Sequence, residues 1–126
     1  MTIITADDEP LALEMLTDLV KSVKPEAEVV SFSRPQKIIE WLKDNKADVA
    51  FLDIRMRGMT GLEVAEKIKE VHPETNIIFV TGYDEYALPA MSLHASGYVM
   101  KPVSEEKIKK ELEQLRFPVN DANSTL

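Results

Sequence analysis

The chain has 126 residues and no cysteine. Disulfides, thiol catalysis and cysteine-ligated zinc are therefore excluded. It also lacks any cluster of lysine and arginine, and its formal net charge is −7. Binding nucleic acid by neutralising phosphates needs such a cluster, so no direct nucleic-acid contact by this chain is expected. No apolar stretch approaches the roughly 20 residues of a bilayer span, so no membrane contact is expected. The N-terminus has no basic segment ahead of an apolar one, so no secretory leader is read and a soluble cytoplasmic protein is expected. Internal repeats and low-complexity tracts are also missing.

What is present is enough for one domain. An apolar content of 44% suffices for a single packed core at this length. Short apolar runs alternate with amphipathic segments. Strands are expected over roughly 2–6, 27–32, 48–53, 76–81 and 96–100, each β-branched or nearly continuously apolar, as strands covered on both faces should be. Helices are expected over roughly 10–23, 35–45, 61–71, 84–94 and 104–116. Ala12, Met15, Leu16, Leu19, Val20 and Val23 form a stripe at helical spacing; so do Val64, Ala65, Ile68 and Val71, and so do Ile108, Leu112 and Leu115. Pro10 suits a first helical turn, where its missing N–H costs nothing. Ser104, followed by Glu105 and Glu106, reads as an N-cap with acids in the first turn. Five alternating βα units make an α/β domain with right-handed crossovers. From Phe117 onward the periodicity stops. The expected organisation is one domain over 1–116 and a polar tail, or the start of a linker, over 117–126.

The polar residues that close the apolar runs carry the chemistry. Asp7 and Asp8 follow the first run, Asp53 closes the third, Thr81 the fourth and Lys101 the fifth. In an open parallel sheet the active crevice lies at the carboxyl ends of the strands. Each residue alone has an ordinary explanation. An acid ahead of Pro10 can cap a helix, an Asp after a strand is often a turn residue, and most lysines are solvated. Those explanations do not account for their joint placement. Crowded carboxylates repel one another and need a cation. Hard oxygen donors suit Mg²⁺, with an aspartate beside it available to receive a phosphoryl group.

Asp7-Asp8, the segment Phe51-Leu52-Asp53-Ile54-Arg55-Met56, Gly61-Leu62-Glu63, Thr81-Gly82 and Tyr98-Val99-Met100-Lys101-Pro102 together resemble the receiver domain of bacterial response regulators. The resemblance covers residues 1 to about 116. Tyr83-Asp84-Glu85-Tyr86-Ala87-Leu88 is similar, more narrowly, to receivers that precede LytTR-type DNA-binding domains. The resemblance implies a doubly wound, flavodoxin-like (βα)5 fold with strand order 2-1-3-4-5. It implies that Asp53 accepts phosphate from a histidine kinase or phosphotransfer protein. Asp7 and Asp8 would hold Mg²⁺ beside Asp53, with the backbone carbonyl of Arg55 as a further ligand. Thr81 and Lys101 would bind phosphoryl oxygens, Tyr98 would change position as Thr81 moves, and the Lys101–Pro102 bond would be cis. The output surface would be the fourth helix, fifth strand and fifth helix. A phosphorylation-promoted homodimer is expected there, through Leu88, Met91 and Leu93.

Four positions depart from the usual pattern. Arg57 stands where proline is common, Gly82 where alanine is commoner, and His94 where glycine is frequent. Pro89 lies inside the fourth helical segment. The runner-up function is a Mg²⁺-dependent phosphohydrolase with an aspartyl-phosphate intermediate. Such an enzyme commonly carries a second acid two residues past its nucleophile, and here that residue is Arg55. A flavodoxin-like mononucleotide binder would want a Ser/Thr/Gly-rich phosphate loop after the first strand, where Asp7-Asp8-Glu9 would repel phosphate. The expected role is a signalling switch rather than an enzyme that turns over.

Overall fold

A computed structural model describes residues 1–82 and 94–119. The elements run β1 (Thr2–Ala6), α1 (Pro10–Val23), β2 (Glu28–Phe32), α2 (Pro35–Trp41), β3 (Val49–Asp53), α3 (Gly61–Val71), β4 (Asn76–Thr81), β5 (Gly97–Met100) and α4 (Glu105–Glu113). Here α4 is the last of the helices expected from the sequence. The segment at 84–94, with Pro89 and the three contact residues Leu88, Met91 and Leu93, lies outside the described residues except for His94. The strands form one parallel sheet in the order β2-β1-β3-β4-β5. None of the described helices is long and apolar enough to cross a membrane.

The period-two geometry of a strand sends alternate side chains to opposite faces, so the sheet carries two cores. Ile3, Phe51, Ile78 and Val80 face α1 and α4, where they meet Leu16, Val20 and Ile108. Ile4, Ala50, Leu52, Ile77 and Phe79 face the other way, onto Ile38, Val64, Ala65 and Ile68 of α2 and α3. This is why β3 and β4 read as unbroken apolar runs: every residue of both is buried. β2 is different. It lies at the sheet edge and is half-exposed, so the expectation of burial on both faces fails for it.

The helix stripes also differ from the expectation in places. Met15 is 59% exposed and Val71 55% exposed. Thr17 is buried in α1 instead, because its hydroxyl shares a hydrogen bond of 2.8 Å with Thr5 beneath it. α2 stops at Trp41 rather than 45. Its carbonyls turn into tighter i→i−3 bonds from Lys43 and Asp44, and the Asn45 side-chain amide donates to the Trp41 carbonyl at 2.9 Å. Trp41 itself is half-buried, edge-on to Phe32 at 5.9 Å. α3 starts in a capping box: Thr60 accepts from the Glu63 N–H, and Glu63 accepts from the Thr60 N–H. Ser104 caps α4 as expected, accepting from the Lys107 N–H.

α4 ends at Glu113 because the chain is pulled toward the sheet. The Arg116 N–H donates to the Ser96 hydroxyl at 3.2 Å, and the Asn76 amide pairs with both backbone groups of Phe117 at 2.8 Å. Asn76 is 1% exposed and its oxygen also accepts from the Ser96 hydroxyl at 2.6 Å. The Lys69 ammonium sits 4.5 Å over the Phe117 ring. Val119 packs on the core shared by α1 and α4. Phe117 and Val119, read from the sequence as the start of a tail, are thus tied to the domain. Replacing Asn76 strands several of these groups. Asn76→Ala is expected to lower the unfolding free energy by about 2–3 kcal/mol and to open the Arg116–Phe117 bond to trypsin. Urea titration and timed proteolysis check this. An unchanged midpoint with unchanged cleavage contradicts it.

Candidate functional site

The chain leaves β1 toward β2 on one side and, later, takes up β3 on the other. The crevice at the strand carboxyl ends therefore opens between β1 and β3. Ala6 is in register with Leu52, so Asp7 follows on beside Asp53. Asp7 is 2% exposed, Asp53 7% exposed, and Asp8 half-buried. One carboxylate oxygen from each of Asp7, Asp8 and Asp53 lies within 4.8 Å of the others. The ordinary reading of these acids as helix caps does not hold. The N-cap of α1 is Glu9, without a side-chain cap, while Asp7 Oδ1 accepts from the Glu9 N–H at 3.0 Å.

Lys101 supplies the opposing charge. Its Nζ lies 3.1 Å from Asp7 Oδ2 and 3.8 Å from Asp53 Oδ1. It is brought there by the pairing of β4 with β5, which sets Thr81 against Met100 and lets the Lys101 N–H donate to the Thr81 carbonyl at 2.9 Å. The Lys101–Pro102 peptide is cis. Thr81 is buried at the end of β4. Tyr98 is half-buried on β5, in register with Phe79, and packs against the core under α2 and α3. Arg55 is exposed and borders an open cleft of about 440 Å³ with Asp7, Asp8, Glu9, Asp53, Gly82 and Lys101.

Two glycines shape this edge. A Cβ on Gly61 would stand 2.2 Å from the Asp53 carbonyl oxygen, so the start of α3 presses directly on the backbone of β3. A Cβ on Gly82 would meet nothing within 4 Å, which leaves the mouth of the cleft open. His94 adopts φ +55°, a left-handed conformation natural to glycine. His72 is half-buried at the C-cap of α3, His94 is exposed, and neither belongs to the carboxylate group.

Electrostatics follow from burial and crowding. Asp53 is pushed up from an ordinary 3.8 to about 6, first by burial and then by Asp7 and Asp8, with Lys101 opposing. Burial pushes the Lys101 ammonium down, but Asp53 and Asp7 outweigh it and hold the group above its ordinary value. The donor set suits a hard divalent cation, since three carboxylates converge and, among the described residues, the Lys101 ammonium is the one that answers them. All seven residues singled out in the sequence lie at or beside this edge. One contact was not read there: Arg57 donates its backbone N–H to Asp8 Oδ2 at 2.9 Å. Its signal was the departure from proline at that position.

Comparison with known proteins agrees with this architecture. The family model described as the response regulator receiver domain matches residues 3–113. A response regulatory protein of Vibrio cholerae is 36% identical over 95% of this chain and 49% of its own length. The sensory transduction protein LytT of Enterococcus faecalis is 36% identical over 90% of this chain and 47% of its own. The chain thus spans about half the length of these curated relatives. Among solved structures, the response regulatory domain of mrkE from Klebsiella pneumoniae has a TM-score of 0.83 at 33% identity, covering 91% of this chain and 94% of that one. The response regulator TrrA of Thermotoga maritima, solved in complex with Mg²⁺-BeF, has a TM-score of 0.78 at 28% identity, covering 89% and 96%.

The raised Asp53 has a measurable consequence. In the unfolded chain this acid loses its proton near 3.8, and in the fold near 6. Between those values the folded state holds a proton the unfolded state has shed, so its contribution falls as pH rises through the window and stays low above it. Asp53→Asn removes that loss. In metal-free buffer at pH 7.5 the variant is expected to be more stable than wild type by about 3 kcal/mol, a rise of several degrees in Tm, with the gap closing toward pH 4. Calorimetry at both pH values decides it; an equal gap at pH 4 contradicts it.

Proposed function

The chain belongs to the response regulator receiver domain family, and on that premise we propose a phosphoacceptor switch of a two-component system in which Asp53 takes the phosphoryl group. The observation that carries the reading is the buried Asp53 carboxylate, with Asp7 and Asp8 inside 4.8 Å and the Lys101 ammonium at 3.8 Å. The donor is the phosphohistidine of a kinase or phosphotransfer protein, met in the cytoplasm. A carboxylate oxygen of Asp53 attacks phosphorus, the P–N bond to the donor breaks, and the histidine nitrogen leaves with the electron pair. The product is an acyl phosphate on Asp53. Asp7, Asp8, Asp53 and the Arg55 carbonyl would hold Mg²⁺, which neutralises charge on the phosphoryl oxygens and keeps Asp53 ionised. Lys101 already points between Asp7 and Asp53 and pairs with a phosphoryl oxygen. The solved Mg²⁺-BeF complex of TrrA supports a magnesium and phosphoryl reading of this edge.

The phosphohydrolase alternative is disfavoured by the same geometry. Such an enzyme commonly carries its general acid/base two residues past the nucleophile, and the exposed residue that borders the cleft from that position is Arg55. Signalling follows instead from the lifetime of the acyl phosphate. New phosphoryl oxygens draw the Thr81 hydroxyl inward, and Tyr98 turns toward the space released. Charge-assisted hydrogen bonds at about 1.5–3 kcal/mol each supply the roughly 5.5 kcal/mol that a near-complete population shift requires. The output is a changed surface around β5 and α4 that promotes self-association.

Acetyl phosphate with Mg²⁺ is expected to add one phosphoryl group to the wild type by intact mass, and none to Asp53→Asn. Lys101→Ala should slow labelling by roughly ten- to a hundredfold, and excess chelator should stop it. Full labelling of Asp53→Asn contradicts the acceptor assignment. Light scattering in beryllofluoride is expected to show a dimer where the untreated protein is a monomer; a monomer in both removes self-association as the output.

A further inference from the structure

Arg57 holds Asp8 in two ways. Its backbone N–H donates to Oδ2 at 2.9 Å, and its Nε lies 3.8 Å from the same oxygen. The Asp8 side chain is 22% exposed and that of Arg57 is 96% exposed. A solvent-facing cation therefore reaches in to the most accessible of the three carboxylates. A proline at this position would have neither donor, since it has no N–H and no charge. Asp7 is meanwhile held by Lys101 and the Glu9 N–H, and Asp53 faces Lys101. Asp8 is the carboxylate held from the loop between β3 and α3.

We propose that Arg57 is a positioning residue that acts through Asp8 and sets the site's affinity for a divalent cation. The inference rests on the metal reading above. A hard cation binds through oxygen lone pairs and gains most from an uncompensated carboxylate. Two donors on Oδ2 lower the negative potential that Asp8 offers. Two like charges on one carboxylate also repel, so the guanidinium yields as the metal enters. It has space to do so. Its side chain is almost wholly in solvent, and it borders an open cleft of about 300 Å³ together with Asp8, Ser33, Arg34, Pro35 and Gln36. Arg57 thus acts as a resident cation that keeps the metal-free cluster partly neutral and makes metal occupancy respond to metal concentration.

Calorimetric titration of the full chain with Mg²⁺, and separately with Mn²⁺, tests this without reference to phosphorylation. Arg57→Gln keeps the N–H and removes the charge. It is expected to bind both ions two- to fivefold more tightly, the range of an exposed ion pair. Arg57→Pro removes both donors and is expected to bind about tenfold more tightly. Arg57→Lys keeps the charge and should stay within twofold of wild type. In an Asp8→Asn background, Arg57→Gln should change the Kd by less than twofold, because the carboxylate it acts through is gone. Equal or weaker binding by Arg57→Gln overturns the inference while leaving the metal site standing. No binding by wild type or any variant overturns the metal reading and the inference with it.

Discussion

Repulsion among Asp7, Asp8 and Asp53 is the constraint around which this molecule is arranged. Their oxygens lie within 4.8 Å of one another because β1 and β3 are locked in register. The backbones of Asp7 and Asp53, which continue the paired Ala6 and Leu52, cannot separate far without opening the centre of the sheet. Neutralisation must therefore come from elsewhere in the chain or from solution. Part of it comes from Lys101, two strands away, and part from Arg57 on the adjoining loop. What remains is visible in Asp53, whose proton is held to about 6. A bound cation would relieve both, since it offsets the repulsion and favours the ionised carboxylate.

The rest of the fold makes that edge rigid. β3 is buried along its whole length, with Phe51 packed to one face and Leu52 to the other. Gly61 lets α3 start against the Asp53 backbone, and the Thr60–Glu63 capping box fixes where that helix begins. The far end of the sheet is held as well. Asn76 opens β4, five positions before Thr81 closes it, and clamps the chain leaving α4. One strand thus joins the polar clamp at one end to the acid edge at the other.

Family membership and geometry bear on different questions. The receiver match over residues 3–113 gives the general role of a signalling module. It does not name a kinase or an output, and the relatives are about twice as long as this chain. The geometry speaks to features particular to this sequence: a buried Asp53 with a raised pKa, the Lys101 ammonium close to it, an open mouth at Gly82 and an arginine held to Asp8.

Much of this was legible from residue order alone. Five strands and their bounds to within a residue followed from apolar runs, most plainly for β3 and β4, which are covered on both faces. The gathering of Asp7, Asp8, Asp53 and Lys101 at one edge was legible because polar residues that close parallel apolar runs end at the same side of the sheet. The early end of α2, the exposure of Met15 and Val71, and the burial of Thr17 were not. Each depends on which neighbour covers a helix face, and periodicity marks a face without saying what lies against it. The tie between Asn76 and Phe117 and that between Arg57 and Asp8 span 41 and 49 residues. The sequence by itself determined the alternation of elements and which polar groups stand at the strand ends. Only the tertiary structure decided how many charges answer the three acids, because that depends on distances across the sheet and on how much water the packing excludes.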